Sequence, residues 1–396
     1  MRPRFDRKSL IPLLAVVCLA ASCSHPSRTV APALVPDGLS EAAPRGREAN
    51  DAGRYLAGLP GTPGSAFADL EARPEWKLHR RLLDQDWGRI ESASLPAMRT
   101  FQKKELSGAP IDGATVFYPF SGPDVLMATV FFPRNPVYVM VGLEPAGTLP
   151  TRKQFARADV GRRLAKVRDT VASELHRSFF ITRQMDRQFR GQVTDGLFSP
   201  ILQLLVRTNH TVLGYRYVRL DDEGRVIGRA ANYHAPGMIG NKGVQIDYRA
   251  DADGSMHRLF YFSVNLSDAR LRDNRPFLAF LARREGMVSF FKATSYMTHK
   301  PEFSVIREQV LAHSAAVLQD DSGIPYRFFN QAAWQVRLYG GYDRPYGSFR
   351  WLQQPDLRQA YAAPGARALD FRIGYGFSRA PSNLQLASRR TAEARP

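Results

Sequence analysis

Thr115–Pro145, TVFYPFSGPDVLMATVFFPRNPVYVMVGLEP, is the stretch whose reading decides the fold. It is strongly apolar, and its polar residues fall mainly in two groups: Ser121-Gly122-Pro123-Asp124, and Glu144 ahead of Pro145. Val116 to Phe120 is β-branched and aromatic, which predicts a strand. Ser-Gly-Pro-Asp is turn chemistry, with Gly122 free to take positive φ and Pro123 fixing the next φ. Asp124 then stands where a helix N-cap belongs, ahead of Val125 to Phe132 and a stop at Pro133. After the turn at Arg134-Asn135-Pro136, Val137 to Leu143 reads as a strand buried on both faces, as in a parallel sheet. The expected order is strand, loop, short buried helix, strand. A second strand in place of the helix is the alternative, because short apolar runs are ambiguous.

A similar order recurs downstream. Leu259 to Leu266 is strand-like, Ser267-Asp268 supplies a cap, Pro276 to Glu285 a helix with Gly286 at its end, and Met287 to Met297 a returning strand. A weak internal repeat, 115–175 against 258–318, is therefore possible. Between the two units, Val160, Leu164, Val167, Val171 and Leu175 share one helical face, and Leu197 to Val206 predicts a buried helix. Acidic, glycine-ended turns at Asp221–Gly224 and Asp251–Gly254 predict two antiparallel hairpins. Pro74 to Leu106 predicts one or two helices, and Pro301 to Leu318 an amphipathic helix ended by Asp320-Asp321-Ser322-Gly323. The fold class expected is α/β, or α+β: a mixed sheet with strand-loop-helix-strand units, antiparallel hairpins and helices on both faces. One large globular domain, 65–377, is expected.

The N-terminus gives the address. Arg2, Arg4, Arg7 and Lys8 precede the apolar run Leu10 to Ala21, and Ala20-Ala21-Ser22 precede Cys23. This is a secretory signal peptide over 1–22. It resembles that of a bacterial lipoprotein, in which Cys23 becomes the lipidated first residue. Ala20 stands where leucine is usual, which keeps ordinary signal cleavage as the rival. Ser24 after the cysteine resembles lipoproteins sorted to the outer membrane. Residues 23–64, rich in Ala, Pro, Gly and Ser, read as a disordered tether, and 378–396 as a disordered basic tail. Cys18 and Cys23 are the only cysteines, so the body has no disulfide or thiol chemistry.

The net charge is +18, and the leader carries four basic residues against Asp6. In an exported protein this points to the membrane, through the lipid anchor, and to anionic envelope polymer or lipid headgroups. Nucleic acid is not expected, since only Phe179 and Phe180 lie near the cation-rich 152–168 segment. General basicity of the surface is the plainer reading.

In open α/β sheets ligands sit beyond the carboxyl ends of strands. That rule selects Ser121, Asp124, Glu144, Asn265, Ser267, Asp268 and the cluster Thr294, Ser295, Tyr296, His299 and Lys300; Gly122 in the first turn, and Asp320 and Asp321 past the expected helix, join them as ligand-binding candidates. Glu144 closes a long apolar strand, so its carboxylate must find a partner or hold its proton, the condition for a general base. Asp124 and His299 complete the catalytic candidates, and the others are ligand-binding candidates. The plain reading makes Asp124 and Asp268 helix caps. Ser289-x-x-Lys292 matches S-x-x-K, but in a strand the two side chains point to opposite faces, and the motif is set aside. No metal ligand spacing, G-x-S-x-G, H-E-x-x-H or Walker A loop is present. No cofactor or oligomeric state is assigned.

Tyr118-Pro119-Phe120-Ser121-Gly122-Pro123-Asp124, Phe131-Phe132-Pro133 and Gly142-Leu143-Glu144-Pro145 resemble a motif set of uncharacterised exported bacterial proteins. The resemblance extends to Lys292–Tyr296 and Leu318–Pro325 and carries no known activity. The functional expectation is an exported, lipid-anchored cell-envelope protein that binds a ligand or supports envelope assembly. The alternative is an envelope hydrolase or transferase using carboxylates at strand ends.

Overall fold

The computed structural model of the chain describes residues 44–178, 195–228, 241–377 and 381–390. The leader, Cys23 and the tether up to residue 43 lie outside the described residues.

Strand β1 (Thr115–Tyr118) lies parallel to β2 (Val137–Gly142), with Val116 opposite Tyr138. Before β1 come helices α1 (Pro44–Leu56), α2 (Ala68–Glu71), α3 (Pro74–Ala93) and α4 (Leu95–Glu105). Between β1 and β2 runs α5 (Val125–Phe131), wholly buried and capped by Asp124, so the helix and not the second strand is what forms. Along β2 the side chains alternate between two cores: Tyr138 and Met140 join one, Val139 and Val141 the other. A strand covered on both faces has no use for a polar alternate position, which is why VYVMVG is apolar throughout.

After β2 follow α6 (Arg152–Phe155), α7 (Val160–Arg177) and α8 (Phe198–Arg207). The hairpins are β3 (His210–Leu220) with β4 (Val226–Gly228), and β5 (Lys242–Ala250) with β6 (Met256–Ser263), both antiparallel as expected. Next come α9 (Asp268–Leu271), α10 (Arg275–Ala282), β7 (Met287–Phe291), α11 (Ser304–His313) and β8 (Ser314–Gln319). The chain then forms β9 (Trp334–Gly340), α12 (Pro355–Ala362) and β10 (Asn383–Arg389). All ten described strands make one sheet, ordered β4-β3-β5-β6-β2-β1-β7-β8-β10-β9. Its centre, β6-β2-β1-β7-β8, is parallel, and its flanks are antiparallel: an α/β fold.

The chain leaves β1 in one direction, through α5 to β2, and leaves its neighbour β7 in the other, through α11 to β8. Right-handed crossovers running opposite ways must lie on opposite faces. Accordingly α5 packs in the core with α1, α3, α4, α7 and α8, and α11 packs in the other with α10. The carboxyl ends of β1 and β7 are therefore the topological switch point of the sheet, where such folds place their sites.

Several expectations need correction. The body begins by residue 44, inside the segment read as a disordered tether. Ala49, Ala52, Tyr55 and Leu56 of α1 are buried, and a Cβ on Gly46 would stand 1.8 Å from the Leu213 carbonyl oxygen. Small residues that look like linker composition are here a close-packing face. The basic tail contains β10, inserted between β8 and β9, with Leu384 and Leu386 on one face and Ala387 on the other. The helix expected to run to Leu318 stops at His313, and the short apolar run Ser314–Gln319 is a buried strand. The returning strand stops at Phe291 rather than Met297. The repeat is not reproduced: β1 and β2 are neighbours, whereas β6 and β7 are separated by both of them, with the connecting helices on the other face.

Candidate functional site

At the switch point the strand MVSFF of β7 is completely buried, and Lys292 follows it. A buried ammonium needs acceptors. Its Nζ lies 2.6 Å from Asp124 Oδ2 and 2.7 Å from Glu174 Oε1, with all three side chains at most 2% exposed. Asp124 belongs to the loop after β1. Its Oδ1 accepts from the Met127 amide at 3.2 Å, capping α5, and its Oδ2 also accepts from the Tyr118 hydroxyl at 2.7 Å. Asp124 thus caps α5 with one oxygen and meets Tyr118 and Lys292 with the other. Glu174 comes from α7, where Val167, Val171 and Leu175 form the apolar stripe and Glu174 falls on the same face.

Burial alone would lower the Lys292 pKa, but the Asp124 and Glu174 carboxyls outweigh it and hold it above its ordinary value. Burial pushes the Glu174 carboxyl up to about 8, with Asp124 adding to the rise and Lys292 opposing it. Burial, with Asp124 beside it, also holds the Tyr118 phenol well above its usual range. These are charges removed from water and left to one another.

Next to this cluster, the loop after β8 builds a second polar node. Asp320 Oδ2 accepts from the Ala293 amide at 2.8 Å, and its Oδ1 accepts from the Ser322 amide at 3.0 Å. Thr294 donates its amide to Ser322 Oγ at 2.8 Å. Asp321 accepts from the Tyr296 hydroxyl and, at 2.9 Å, from Asn383 Nδ2 of β10. Burial pushes Asp321 up to about 7, with Asp320 next to it contributing. Gly374, at φ +58, closes over this node: a Cβ there would stand 2.3 Å from Asp320 Oδ2. Its amide donates to Ser178 Oγ, at the end of α7.

The loops at the switch point carry backbone strain. Phe120 after β1, and Ala293, Ser295 and Tyr296 after β7, are non-glycine residues at φ between 51° and 59°. Each such residue costs of order 1 kcal/mol, held by the surrounding bonds. Tyr375 is one holder: its hydroxyl accepts from the Ser295 amide and donates to the Ala293 carbonyl, each at 3.0 Å.

The loop Tyr342–Gln354 is pinned at two points, to Tyr296 and to Asp321. The Tyr346 amide donates to the Tyr296 hydroxyl at 3.4 Å, and Gln354 Nε2 donates to the Asp321 carbonyl at 2.9 Å. Tyr346 and Tyr296 each stack on Tyr375 with interplanar angles of 6° and 7°. The same loop holds Trp351 out in solvent, 68% exposed, beside the exposed Arg350, with Arg344 also exposed.

Among the sequence candidates, Asp124, Ser295, Tyr296, Asp320 and Asp321 are brought together here. Ser121 and Gly122 form the turn at the same end, with the Ser121 amide donating to the Val141 carbonyl at 3.0 Å. Glu144 lies at the end of β2, where Tyr261 donates its hydroxyl to the Glu144 carbonyl oxygen at 2.7 Å. Asp268 does not join the cluster. It serves the opposite face, accepting from the Val305 amide at 2.9 Å and from Ser304 Oγ, and so ties α9 to α11. Asn265 forms a local turn with the Ser267 amide at 3.0 Å. His299 packs edge-on against Tyr296 at 5.0 Å, and burial holds its imidazole down at about 4, which leaves it neutral at pH 7 and no proton donor there. Lys300 sits between two 3-10 turns, outside both nodes. Ser289 bonds Ser314 at 2.8 Å, away from Lys292, as the strand phase requires.

The sequence reading missed Lys292 as a site residue, and with it Glu174, Tyr118, Asn383 and Tyr375. Two signals were present: a lysine closing a fully apolar strand, and a glutamate on the apolar stripe of α7. Among the described residues no group of three or more His, Cys, Asp or Glu has the arrangement to hold a metal ion, and no helix is long and apolar enough to cross a membrane. Comparison with protein-family models, curated proteins and solved structures finds no match to this chain.

Proposed function

We propose that the chain is an exported, lipid-anchored cell-envelope protein that binds an anionic envelope polymer through the Tyr342–Gln354 loop. The observation that carries this reading is the pairing of an exposed Trp351 with Arg344 and Arg350 on a loop fastened from below to Tyr296 and Asp321. A large aromatic left in solvent on a pinned loop is pre-organised for contact, and Trp, Tyr and Arg are the residues that carry most binding energy. The buried nodes serve as the fixed floor under that loop. The net charge of +18, which stays at +15 without the leader's four basic residues and Asp6, supplies attraction of the right sign.

The test is co-sedimentation of the full chain with purified cell-wall sacculi. Trp351→Ala is expected to weaken binding by about 2 kcal/mol, roughly thirtyfold, without changing the unfolding midpoint. Equal binding by the variant, or binding to phosphatidylglycerol vesicles and not to sacculi, overturns the reading.

A second reading, an envelope hydrolase or transferase, has its own observation: Asp124, Glu174 and Lys292 are acid-base groups in contact at the switch point. Turnover of an envelope substrate that is lost in a folded Asp124→Asn variant would favour it over binding alone.

A further inference from the structure

Glu174 has two oxygens and is fully buried. Oε1 accepts from Lys292 Nζ at 2.7 Å. Oε2 is sealed from solvent, and among the described residues no donor faces it. What lies within side-chain hydrogen-bonding reach of Glu174 is the Asp124 carboxyl, which is itself an acceptor toward Lys292, Tyr118 and the Met127 amide. Two ionised carboxylates cannot bond each other, and one ammonium balances only one of them. A second bare negative charge in a site with at most 2% exposure would be uncompensated.

We propose that Glu174 carries a proton on Oε2 and donates it to the Asp124 carboxylate, so that the two carboxyls share one proton beside the Lys292 ammonium. Every polar atom of the trio then has a partner: Oε1 takes Lys292, Oε2–H gives to Asp124, and the cluster is electrically neutral. The arrangement makes Glu174 the acid of the pair and Asp124 its acceptor. It stands whether or not the surface loop binds a polymer. It also joins α7 to the loop after β1 through a proton that solution pH controls.

The groups that face Glu174 are Tyr118 from β1, Asp124 from the loop after it and Lys292 from the end of β7, and Asp320 from the loop after β8 faces Lys292 in turn. Burial holds the Glu174 carboxyl far above its ordinary 4.5, at about 8. For an acid raised on folding, the folded state binds the extra proton, so stability is greatest below 4.5 and is lost as pH climbs to 8. The folded-to-unfolded ratio falls about tenfold per pH unit across that window from this group alone.

Glu174→Gln is the discriminating change, because an amide supplies the same donor to Asp124 and the same acceptor to Lys292. Denaturant unfolding of the full chain between pH 5 and 9 is expected to show a smaller fall for Glu174→Gln than for wild type. The variant should equal wild type near pH 5 and exceed it at pH 9. A variant less stable than wild type at pH 7, with an unchanged pH slope, means that Glu174 is an ionised partner of Lys292 and overturns the proposal. Infrared spectra of wild type with 13C-labelled glutamate provide a measurement that needs no variant. A protonated-glutamate carbonyl band at pH 6 that disappears by pH 10 is expected, and its absence at pH 6 overturns the proposal. Asp124→Asn should also remove that band, since Glu174 would then ionise to balance Lys292; a band retained in Asp124→Asn counts against the shared proton.

Discussion

Two carboxylates of this protein sit among cations under opposite conditions. Glu174 is sealed, with one ammonium shared between it and Asp124. Glu105, at the end of α4, keeps 15% of its side chain in water and has two guanidiniums, Arg337 at 3.1 Å and Arg367 at 2.9 Å, with the Tyr339 hydroxyl beside them. Burial pushes both carboxyls upward. At Glu105 the Tyr339 hydroxyl and the two arginines overcome it and hold the group below its ordinary value; at Glu174 the single Lys292 ammonium does not. The number of cations per carboxylate, together with access to water, decides the direction. The same residue type is thus a fixed anion on the sheet edge and a proton carrier under the switch point.

The comparison is broken most strongly at Lys292. Lys292→Met leaves Asp124 without its counter-ion in a dry site, and is expected to cost about 3–5 kcal/mol at pH 7 by urea unfolding. Part of that loss should return on acidification, because a proton bound in the dry site replaces the missing positive charge. If Lys292→Met unfolds like wild type, the cluster is not the counter-ion system described. Gly374→Ala comes next, at about 2–3 kcal/mol, because φ +58 strains any L side chain and the new Cβ would press on Asp320 Oδ2. A retained midpoint would show that the seal over Asp320 yields easily. Glu105→Gln should be the mildest, about 1 kcal/mol or less and shrinking with added salt, because Arg367 is exposed and Arg337 partly so. Its pH dependence has the opposite sign to that of Glu174: a depressed carboxyl stabilises above its ordinary 4.5 and loses that contribution as pH falls below it. An acid limb unchanged in Glu105→Gln would place the pair outside the stability balance.

How far the sequence could be read depended on whether a residue's role was local. Asp124 was legible because Ser-Gly-Pro-Asp before a short apolar run is turn and cap chemistry in consecutive residues. The parallel pairing of β1 and β2 was legible from VYVMVG, which has no polar face to show to water. As a chemical group Lys292 was weighed as the partner of Ser289, and the strand-phase argument that dismissed that pairing says nothing about a lysine just beyond the strand. The desolvation argument applied to Glu144 fits Lys292 equally well. Asp268 was misplaced because its side depends on crossover direction, which depends on strand order, and strand order is not written in any local pattern. Helix α1 was hidden by Ala and Gly, whose small size is what lets it lie against Leu213 and Leu202. Strand β10 was hidden by the basic residues around it.

Strand β10 carries one more implication. Among the described strands β9 pairs only with β10, and β10 also completes the hydrogen bonding of β8 and supplies Asn383 to Asp321. As the polypeptide emerges from its N-terminus, everything through Gly340 is in place well before Asn383 arrives. Until then the growing sheet has an open rim at β8 and an unattached ribbon at β9, both able to recruit foreign strands. The last of the described strands thus acts as a latch that shuts the scaffold and sets Asp321 in the same motion, and a chain cut short before Asn383 would be left ajar on the side where its surface loop is moored.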